Sequence, residues 1–194
     1  MSPAPGAKYR TRGSIAHQFP RPAARFGIAV AAPILLPMSD VHALELATTD
    51  EEETRALGER LGRQLQRGDI LLLSGDLGTG KTCLTQGIGR GLGCKTPVNS
   101  PSFVLMNEYE GRERLFHVDL YRVEDIEELD DLGLWDYAER GVLVIEWPER
   151  GADLLPGDGL VVELRYGDIE RQRRLRFIPR GIRGAEMVRL VGAA

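Results

Sequence analysis

The sequence predicts a three-layer α/β fold, in which helices cover a mainly parallel central sheet and antiparallel strands extend its edges. Apolar runs of strand length alternate along the chain with segments whose apolar residues recur at helical spacing. A glycine-rich loop also joins the most continuous apolar run to the helix that follows it. Together these observations favour strand–helix units over an all-helical or all-strand protein.

The first elements are an edge strand and a helix. Residues 42–48 alternate well enough for an edge strand. Residues 50–66 form an amphipathic helix, because leucines recur every fourth residue at Leu57, Leu61 and Leu65. Thr49 followed by Glu52 predicts the N-terminal cap.

A buried strand and a second helix flank the glycine-rich loop. The run DILLLS at residues 69–74 is nearly all apolar, which is typical of a central strand. After the loop, Leu84, Ile88 and Leu92 mark one helical face, and Gly93 is a natural end.

The second half of the chain contains six further predicted elements. A strand begins at about Phe103, and residues 115–122 form another. Residues 124–134 read as a short acidic helix with Ile126, Leu129 and Leu132 inward. An apolar strand within residues 141–151 ends at Pro148, and two segments predict a β-hairpin, residues 160–166 and 173–178.

Length and composition predict one domain at residues 39–194, preceded by an extension at residues 1–38. The extension has five basic and no acidic residues and is rich in Pro, Ala and Gly, so we expect it to be disordered. Alternatively, translation starts at Met38, and the residues before it are an artefact of the assigned start. Only two cysteines and no membrane-length apolar run favour a cytoplasmic protein.

Residues 75–82 carry the pattern G-x-x-x-x-G-K-T, which predicts a phosphate-binding loop and a P-loop NTPase-like fold. Backbone N–H groups at a helix N-terminus bind phosphate oxygens, and glycines allow the close approach. The residues expected to bind the nucleotide in and around this loop are Asp76, Leu77, Gly78, Thr79, Gly80, Lys81, Thr82 and Cys83. Lys81 supplies a positive charge, and the Thr82 hydroxyl is a Mg²⁺ ligand.

Two acids follow apolar strands, Asp119 after LFHV and Glu146 after VLVI. If these strands lie beside the strand that precedes the loop, both carboxylates reach the Mg²⁺–phosphate group. In the alternative arrangement, one carboxylate binds Mg²⁺ and the second orients or activates the attacking water. We therefore predict catalytic roles for Lys81, Asp119 and Glu146, and metal-ligand roles for Thr82, Asp119 and Glu146.

Several other features can be interpreted either as functional or as purely structural. The NSPSF loop at residues 99–103 is either a γ-phosphate switch or a plain turn. Trp147 either covers the nucleotide or only packs, and His117 is expected to be a core histidine. Eight arginines from Arg165 onward form either an RNA or partner surface or the exposed face of a hairpin.

Two classes of nucleotide-binding protein, GTP-binding proteins and small-molecule kinases, are disfavoured because their usual motifs are missing from the sequence. There is no N-K-x-D motif to read guanine, and DDLG at residues 130–133 falls in a predicted helix, so GTP is disfavoured. No arginine-rich lid of a small-molecule kinase is evident.

The motifs GDLGTGKT, SPSF, HVDLYR, DLGLWDY and VIEWPERG, in this order and spacing, resemble the TsaE (YjeE) family. The resemblance covers residues 44–178. It implies a small, weak ATPase that works with TsaB and TsaD in forming threonylcarbamoyladenosine beside the tRNA anticodon; contact with tRNA itself, direct or only through these partners, stays open. ATP and Mg²⁺ are the implied cofactors.

Carried over by position, Asp119 is the Walker-B-like acid, Glu146 a Mg²⁺ ligand or water-orienting acid, and Trp147 lies near the nucleotide. The resemblance also places Thr49 near the adenine. Cys83 departs from the family, where a hydroxyl residue is common at this position. Two other functions stay open, a nucleotide-dependent binding module with incidental hydrolysis and a small-molecule kinase.

Overall fold

The computed structural model describes residues 8–10, 43–101, 104–123, 133–154 and 158–193. Eight strands are present within these ranges, namely β1 Lys8–Arg10, β2 Leu44–Thr48, β3 Ile70–Ser74, β4 Met106–Tyr109, β5 Leu115–Asp119, β6 Val142–Glu146, β7 Gly159–Tyr166 and β8 Arg173–Arg180. The helices are α1 Glu51–Gln64, α2 Lys81–Gly91, α3 Leu134–Ala138 and α4 Gly181–Gly192, with a 3₁₀ segment at Pro148–Leu154.

The eight strands form one sheet in the order β1-β4-β5-β6-β3-β7-β8-β2. The four central strands, β5, β6, β3 and β7, pair in parallel. All four outer pairings are antiparallel. This confirms the predicted mainly parallel centre with antiparallel edges.

Helices cover both faces of the sheet, which gives the predicted three layers. One apolar cluster joins the sheet to α1, α2 and α4 and includes Leu61, Ile88 and Met187. The other joins the opposite face to α3 and includes Phe116 and Tyr137. No helix among the described residues is long and apolar enough to cross a membrane.

Helices α1 and α2 pack backbone against backbone through glycines. A Cβ at Gly58 would lie 2.3 Å from the Leu84 carbonyl oxygen, and one at Gly87 would lie 2.1 Å from that of Arg55. Gly62 and Gly91 are equally tight one turn further on. The helix that begins at the phosphate loop is therefore fixed at a distance that no larger residue permits.

The cap of α1 lies one residue later than predicted. Asp50, not Thr49, is the N-cap, and its side chain accepts a hydrogen bond from the Glu53 N–H at 2.8 Å. The Glu53 carboxylate accepts from the Thr49 N–H at 2.6 Å. Strand β2 continues through Thr48, so the turn into the helix begins only after Thr49.

Three predictions concern segments that the structure describes in part or not at all. Only Lys8–Arg10 of the extension at residues 1–38 is described, and this segment pairs with β4. Of the acidic helix predicted at residues 124–134, residues 124–132 lie outside the described residues, and Leu134 begins α3. The Phe103 strand start falls on residues 102–103, which are also outside them. The described strand begins at Met106.

The C-terminal helix α4 was not predicted from the sequence. It is anchored by Arg183, whose Nε and Nη2 donate to the two carboxylate oxygens of Asp69, both at 2.7 Å. Asp69 is buried, and its carboxylate also accepts from the Gln66 N–H. This ion pair ties the end of the chain to the turn that enters β3.

Candidate nucleotide site

The predicted phosphate loop links β3 to α2 at the carboxyl edge of the parallel strands. Gly75, Gly78 and Gly80 have φ angles of +135°, +80° and +100°, which residues with a Cβ rarely adopt. A Cβ at Gly75 would lie 2.2 Å from the Leu164 carbonyl oxygen, and one at Gly78 would lie 2.7 Å from the Tyr166 hydroxyl. The glycines are therefore needed for the shape of the loop and its packing on β7, besides access for phosphate.

Two hydroxyl groups hold the loop in place. Tyr166 Oη donates to the Leu77 carbonyl at 2.7 Å, and Thr79 Oγ1 donates to the Asp76 carbonyl at 2.8 Å. The first contact could not be predicted from the sequence, because Tyr166 lies in the hairpin, 89 residues after Leu77. The loop is thus braced from inside and by a neighbouring strand.

Lys81 lies under the loop, with only 4% of its surface exposed. Its Nζ donates to the carbonyls of Gly75 at 2.6 Å and Asp76 at 2.8 Å, and lies 3.9 Å from the centre of the Trp147 ring. Burial lowers the pKa of Lys81, whereas nearby acids, Glu146 foremost, raise it. The cation is thus held close to the phosphate loop by groups that a phosphate oxygen can replace.

Asp119 and Glu146 are brought together as predicted. Strands β5 and β6 are neighbours, β6 lies beside β3, and the two acids are paired in register at the strand ends. Asp119 is half-buried and accepts hydrogen bonds from the Ser100 hydroxyl and the Tyr121 N–H, both at 3.0 Å. Glu146 is buried.

Three side chains surround the Glu146 carboxylate. Thr82 Oγ1 lies 3.0 Å from Oε2, and Thr85 Oγ1 and His117 Nε2 lie 3.3 Å and 2.8 Å from Oε1. His117 is fully buried, as expected of a core histidine, yet it also contacts the predicted catalytic acid. Thr85 was not predicted as a site residue. Its position one helical turn after Lys81 was an available signal, and its hydroxyl also donates to the Lys81 carbonyl.

Trp147 adopts φ +61°, the only positive φ of a non-glycine residue in the described parts of the chain. Its ring packs on Tyr121, with centroids 4.9 Å apart, and beneath the Lys81 ammonium. The Trp147 backbone N–H donates to the Leu73 carbonyl of β3 at 3.1 Å. Backbone strain of this kind is typical of functional sites.

A cavity of about 1130 Å³ opens over the loop and the acids. Nine of the predicted site residues line it: Leu77, Gly78, Gly80, Lys81, Thr82, Cys83, Asp119, Glu146 and Trp147. Asp76, Thr79 and Thr49 do not, although Glu51, two residues after Thr49, does. Lining residues that the sequence did not single out include Arg55, Gln86, Tyr121 and Arg150.

The oxygen ligands at the cavity floor fit Mg²⁺ bound together with phosphates. Among the described residues, no group of three or more His, Cys, Asp or Glu side chains forms a closed metal cage. Two carboxylates and the Thr82 hydroxyl are instead gathered beside the phosphate loop. Mg²⁺ prefers such an arrangement, in which phosphate oxygens and waters complete the coordination.

The arginines near the C-terminus are largely engaged within the hairpin and helix. Arg174 pairs with Asp168, and Arg176 lies within 3.7 Å of the carboxylates of Glu45 and Glu163. Arg173 donates to backbone carbonyls and lies over the Tyr166 ring. These contacts favour the exposed hairpin face over an RNA-binding surface.

Comparison with known proteins agrees with this geometry. The model of the family described as threonylcarbamoyl adenosine biosynthesis protein TsaE matches residues 48–175. A Nostoc protein named tRNA threonylcarbamoyladenosine biosynthesis protein TsaE is 46% identical over 136 residues, which cover 67% of this chain and 82% of that protein. A Bacillus subtilis protein of the same name is 42% identical over 132 residues, covering 66% and 82% respectively.

The fold of a solved structure is also similar. The crystal structure of YdiB from Bacillus subtilis superimposes with a TM-score of 0.67 and 31% identity, covering 78% of this chain and 95% of that one. The family match at residues 48–175 contains the phosphate loop, both strand-end acids and Trp147. The chain belongs to the TsaE family.

Proposed function

We propose that this protein binds and hydrolyses Mg²⁺–ATP as a subunit of the machinery that forms threonylcarbamoyladenosine in tRNA. The observation that carries the proposal is the hydrogen bond of 3.0 Å between Thr82 Oγ1 and Glu146 Oε2. It joins the hydroxyl of the phosphate loop to a buried strand-end acid, so the two halves of a hydrolytic site meet.

The phosphate end of the site is supported by the loop and by Lys81. Glycines with positive φ allow the loop to curve at the N-terminus of α2, where backbone N–H groups attract phosphate oxygens. The Lys81 ammonium lies within reach of the same space. Lys81, Thr82 and Asp119 would hold the Mg²⁺–phosphate group, and Mg²⁺ would neutralise the charge that builds up on the phosphate oxygens.

Glu146 is the residue we assign to orienting the attacking water. Its carboxylate is buried, has three side-chain partners and lines the cavity beside Thr82. A fixed carboxylate at this position accepts a hydrogen bond from water in one orientation. Asp119 is more exposed than Glu146, and we assign it to binding the metal.

The link to tRNA modification is supported by family membership and by the relatives named for threonylcarbamoyladenosine biosynthesis. Within that pathway we propose that hydrolysis resets a TsaB–TsaD transferase, so that it turns over many times. The protein would act in the cytoplasm and hydrolyse ATP weakly without its partners. Contact with tRNA would be indirect.

Steady-state ATP hydrolysis with and without a TsaB–TsaD preparation and tRNA tests this proposal. The expected result is a low basal rate that needs Mg²⁺ and rises when the partners and tRNA are present. Absence of any stimulation would count against the role in tRNA modification. Phosphate transfer to a metabolite without partners would favour a kinase instead.

A further inference from the structure

We propose that His117 is a positioning residue that holds the Glu146 carboxylate in its working orientation by donating a hydrogen bond from Nε2. The proposal rests on the hydrolytic role assigned to Glu146. His117 comes from strand β5 and Glu146 from the neighbouring strand β6, and the two atoms lie 2.8 Å apart. Both residues are buried, so solvent does not compete for the contact.

The surroundings of the ring decide which nitrogen carries the proton. Among the described residues, His117 Nδ1 has no hydrogen-bond partner, so a proton there would be a buried donor without an acceptor. A carboxylate beside Nε2 accepts a proton but offers none. The neutral tautomer with hydrogen on Nε2 therefore satisfies both groups.

The residue opposite His117 does not change this assignment. Asn107 is its register partner on β4, and the Asn107 amide nitrogen donates to the Asn99 carbonyl at 3.2 Å and to the Tyr109 hydroxyl at 3.1 Å. This fixes Asn107 Oδ1 as an acceptor, and it forms no hydrogen bond with His117. The strongest polar contact of the imidazole is thus the one with Glu146.

The contact matters because the other partners of Glu146 are hydroxyl groups with other tasks. The Thr82 hydroxyl belongs to the metal end of the site, and the Thr85 hydroxyl lies 3.0 Å from the Lys81 carbonyl, which competes for its single proton. His117 has a rigid ring, and among the described residues its Nε2 has no acceptor other than Glu146. Groups of this kind, which orient a functional carboxylate or metal ligand, typically change activity about 10-fold to 100-fold when removed.

A pair of substitutions separates positioning from packing. In His117→Gln the amide nitrogen is as many bonds from Cα as Nε2, so the donor to Glu146 is retained. In His117→Asn the amide nitrogen takes the place of Nδ1, and the donor is lost. We expect His117→Gln to keep kcat for ATP hydrolysis within about threefold of wild type, and His117→Asn to lower it about 10-fold or more, with little change in KM.

Circular dichroism and thermal unfolding establish that both variants are folded before their rates are compared. Equal rates for the two variants, whether both normal or both reduced, would overturn the proposal, because only one of them retains the donor. A loss in His117→Asn confined to KM would overturn it as well, because ATP binding would then be what His117 supports.

The hydrogen bond between His117 and Glu146 can also be tested without ATP, and so independently of hydrolysis. The chain has three histidines, so nitrogen-15 NMR of the imidazoles is readily assigned by loss of the His117 signals in His117→Gln. The expected spectrum shows hydrogen on Nε2 of His117, with a proton signal that moves upfield in Glu146→Gln as the charge-assisted bond is lost. Hydrogen on Nδ1, or a signal unaffected by Glu146→Gln, would overturn it.

Discussion

Asp119 and Glu146 are register partners at the ends of two parallel strands, yet their surroundings differ. Asp119 is half-buried and is held by a hydroxyl and a backbone N–H from the adjoining loops. Glu146 is buried and is held by two threonines of α2 and a histidine of the sheet. Two like acids placed side by side can therefore carry different parts of one reaction.

Replacing Glu146 by Gln should separate ATP binding from hydrolysis. The amide keeps the shape of the side chain but removes the charge that orients water, so we expect hydrolysis to fall about 100-fold. ATP affinity should stay close to that of wild type, because the phosphate loop is untouched. Isothermal titration and a phosphate-release assay measure the two properties.

Lys81→Ala is the matching control, because it removes the cation of the phosphate loop and should abolish both binding and hydrolysis. If Glu146→Gln retained full hydrolysis, the assignment of Glu146 to the attacking water would be wrong. If it lost ATP affinity as completely as Lys81→Ala, Glu146 would be acting in nucleotide binding.

Gly87→Ala should destabilise the protein through the contact between α1 and α2. The added Cβ would lie 2.1 Å from the Arg55 carbonyl oxygen and 2.9 Å from the Gly58 Cα, and neither backbone atom can move alone. We expect a loss of about 3 kcal/mol in the free energy of unfolding. Gly192→Ala is the control, since its Cβ meets only the end of the Leu44 side chain at 3.4 Å.

Urea unfolding followed by circular dichroism compares the two glycine variants. Gly192→Ala should leave stability unchanged or raise it by up to about 1 kcal/mol, because alanine favours a helix. Similar stability of both variants would show that the two helices are less tightly fixed than the structure indicates.

Arg183→Met should destabilise the fold by about 3 kcal/mol, because it leaves the buried Asp69 carboxylate without its cation. Arg174→Met removes an exposed pair with Asp168 and should cost less than about 1 kcal/mol. Chemical unfolding at neutral pH measures both. A cost for Arg174→Met equal to that for Arg183→Met would contradict this account of how α4 is anchored.

Cysteine alkylation should report both burial and the nucleotide site. Burial raises the pKa of Cys94 to about 11 and raises that of Cys83 as well, so both thiols stay protonated at neutral pH and react slowly. The rate at Cys94 should keep rising above pH 9, the ordinary thiol pKa, until about 11. Mass spectrometry after timed labelling measures each site.

ATP provides an internal control in the same experiment. Cys83 lines the cavity beside the phosphate loop, whereas Cys94 lies outside it. Mg²⁺–ATP should therefore slow the labelling of Cys83 and leave that of Cys94 unchanged. Equal protection of both cysteines would indicate a general stabilisation of the fold, not contact with the nucleotide.

Much of the fold follows from patterns within single segments. The continuous apolar run before the glycine loop predicted β3, and apolar residues at every fourth position predicted α1 and one face of α2. The acids could be placed because parallel strands bring their carboxyl ends to one edge. A pair of glycines four residues apart in each of α1 and α2 was an available signal of their close packing that the helix predictions did not use.

Contacts between distant segments could not be predicted in the same way. Nothing near Tyr166 in the sequence indicates that its hydroxyl reaches the Leu77 carbonyl, and nothing near His117 indicates that it faces Glu146. Both contacts depend on the order of strands in the sheet, which one sequence does not fix. Helix α4 was missed because glycines at its start lower helix propensity, although Met187, Val188 and Val191 mark a buried face.

The most direct test of the central claim is the number of threonylcarbamoyladenosines formed per TsaB–TsaD complex with wild-type protein or Glu146→Gln. With ATP and tRNA in excess, wild type should support many turnovers. Glu146→Gln, which should bind ATP without hydrolysing it, should allow the first turnover and then stall. Continued turnover with a variant shown to bind but not hydrolyse ATP would contradict the claim that hydrolysis resets the transferase.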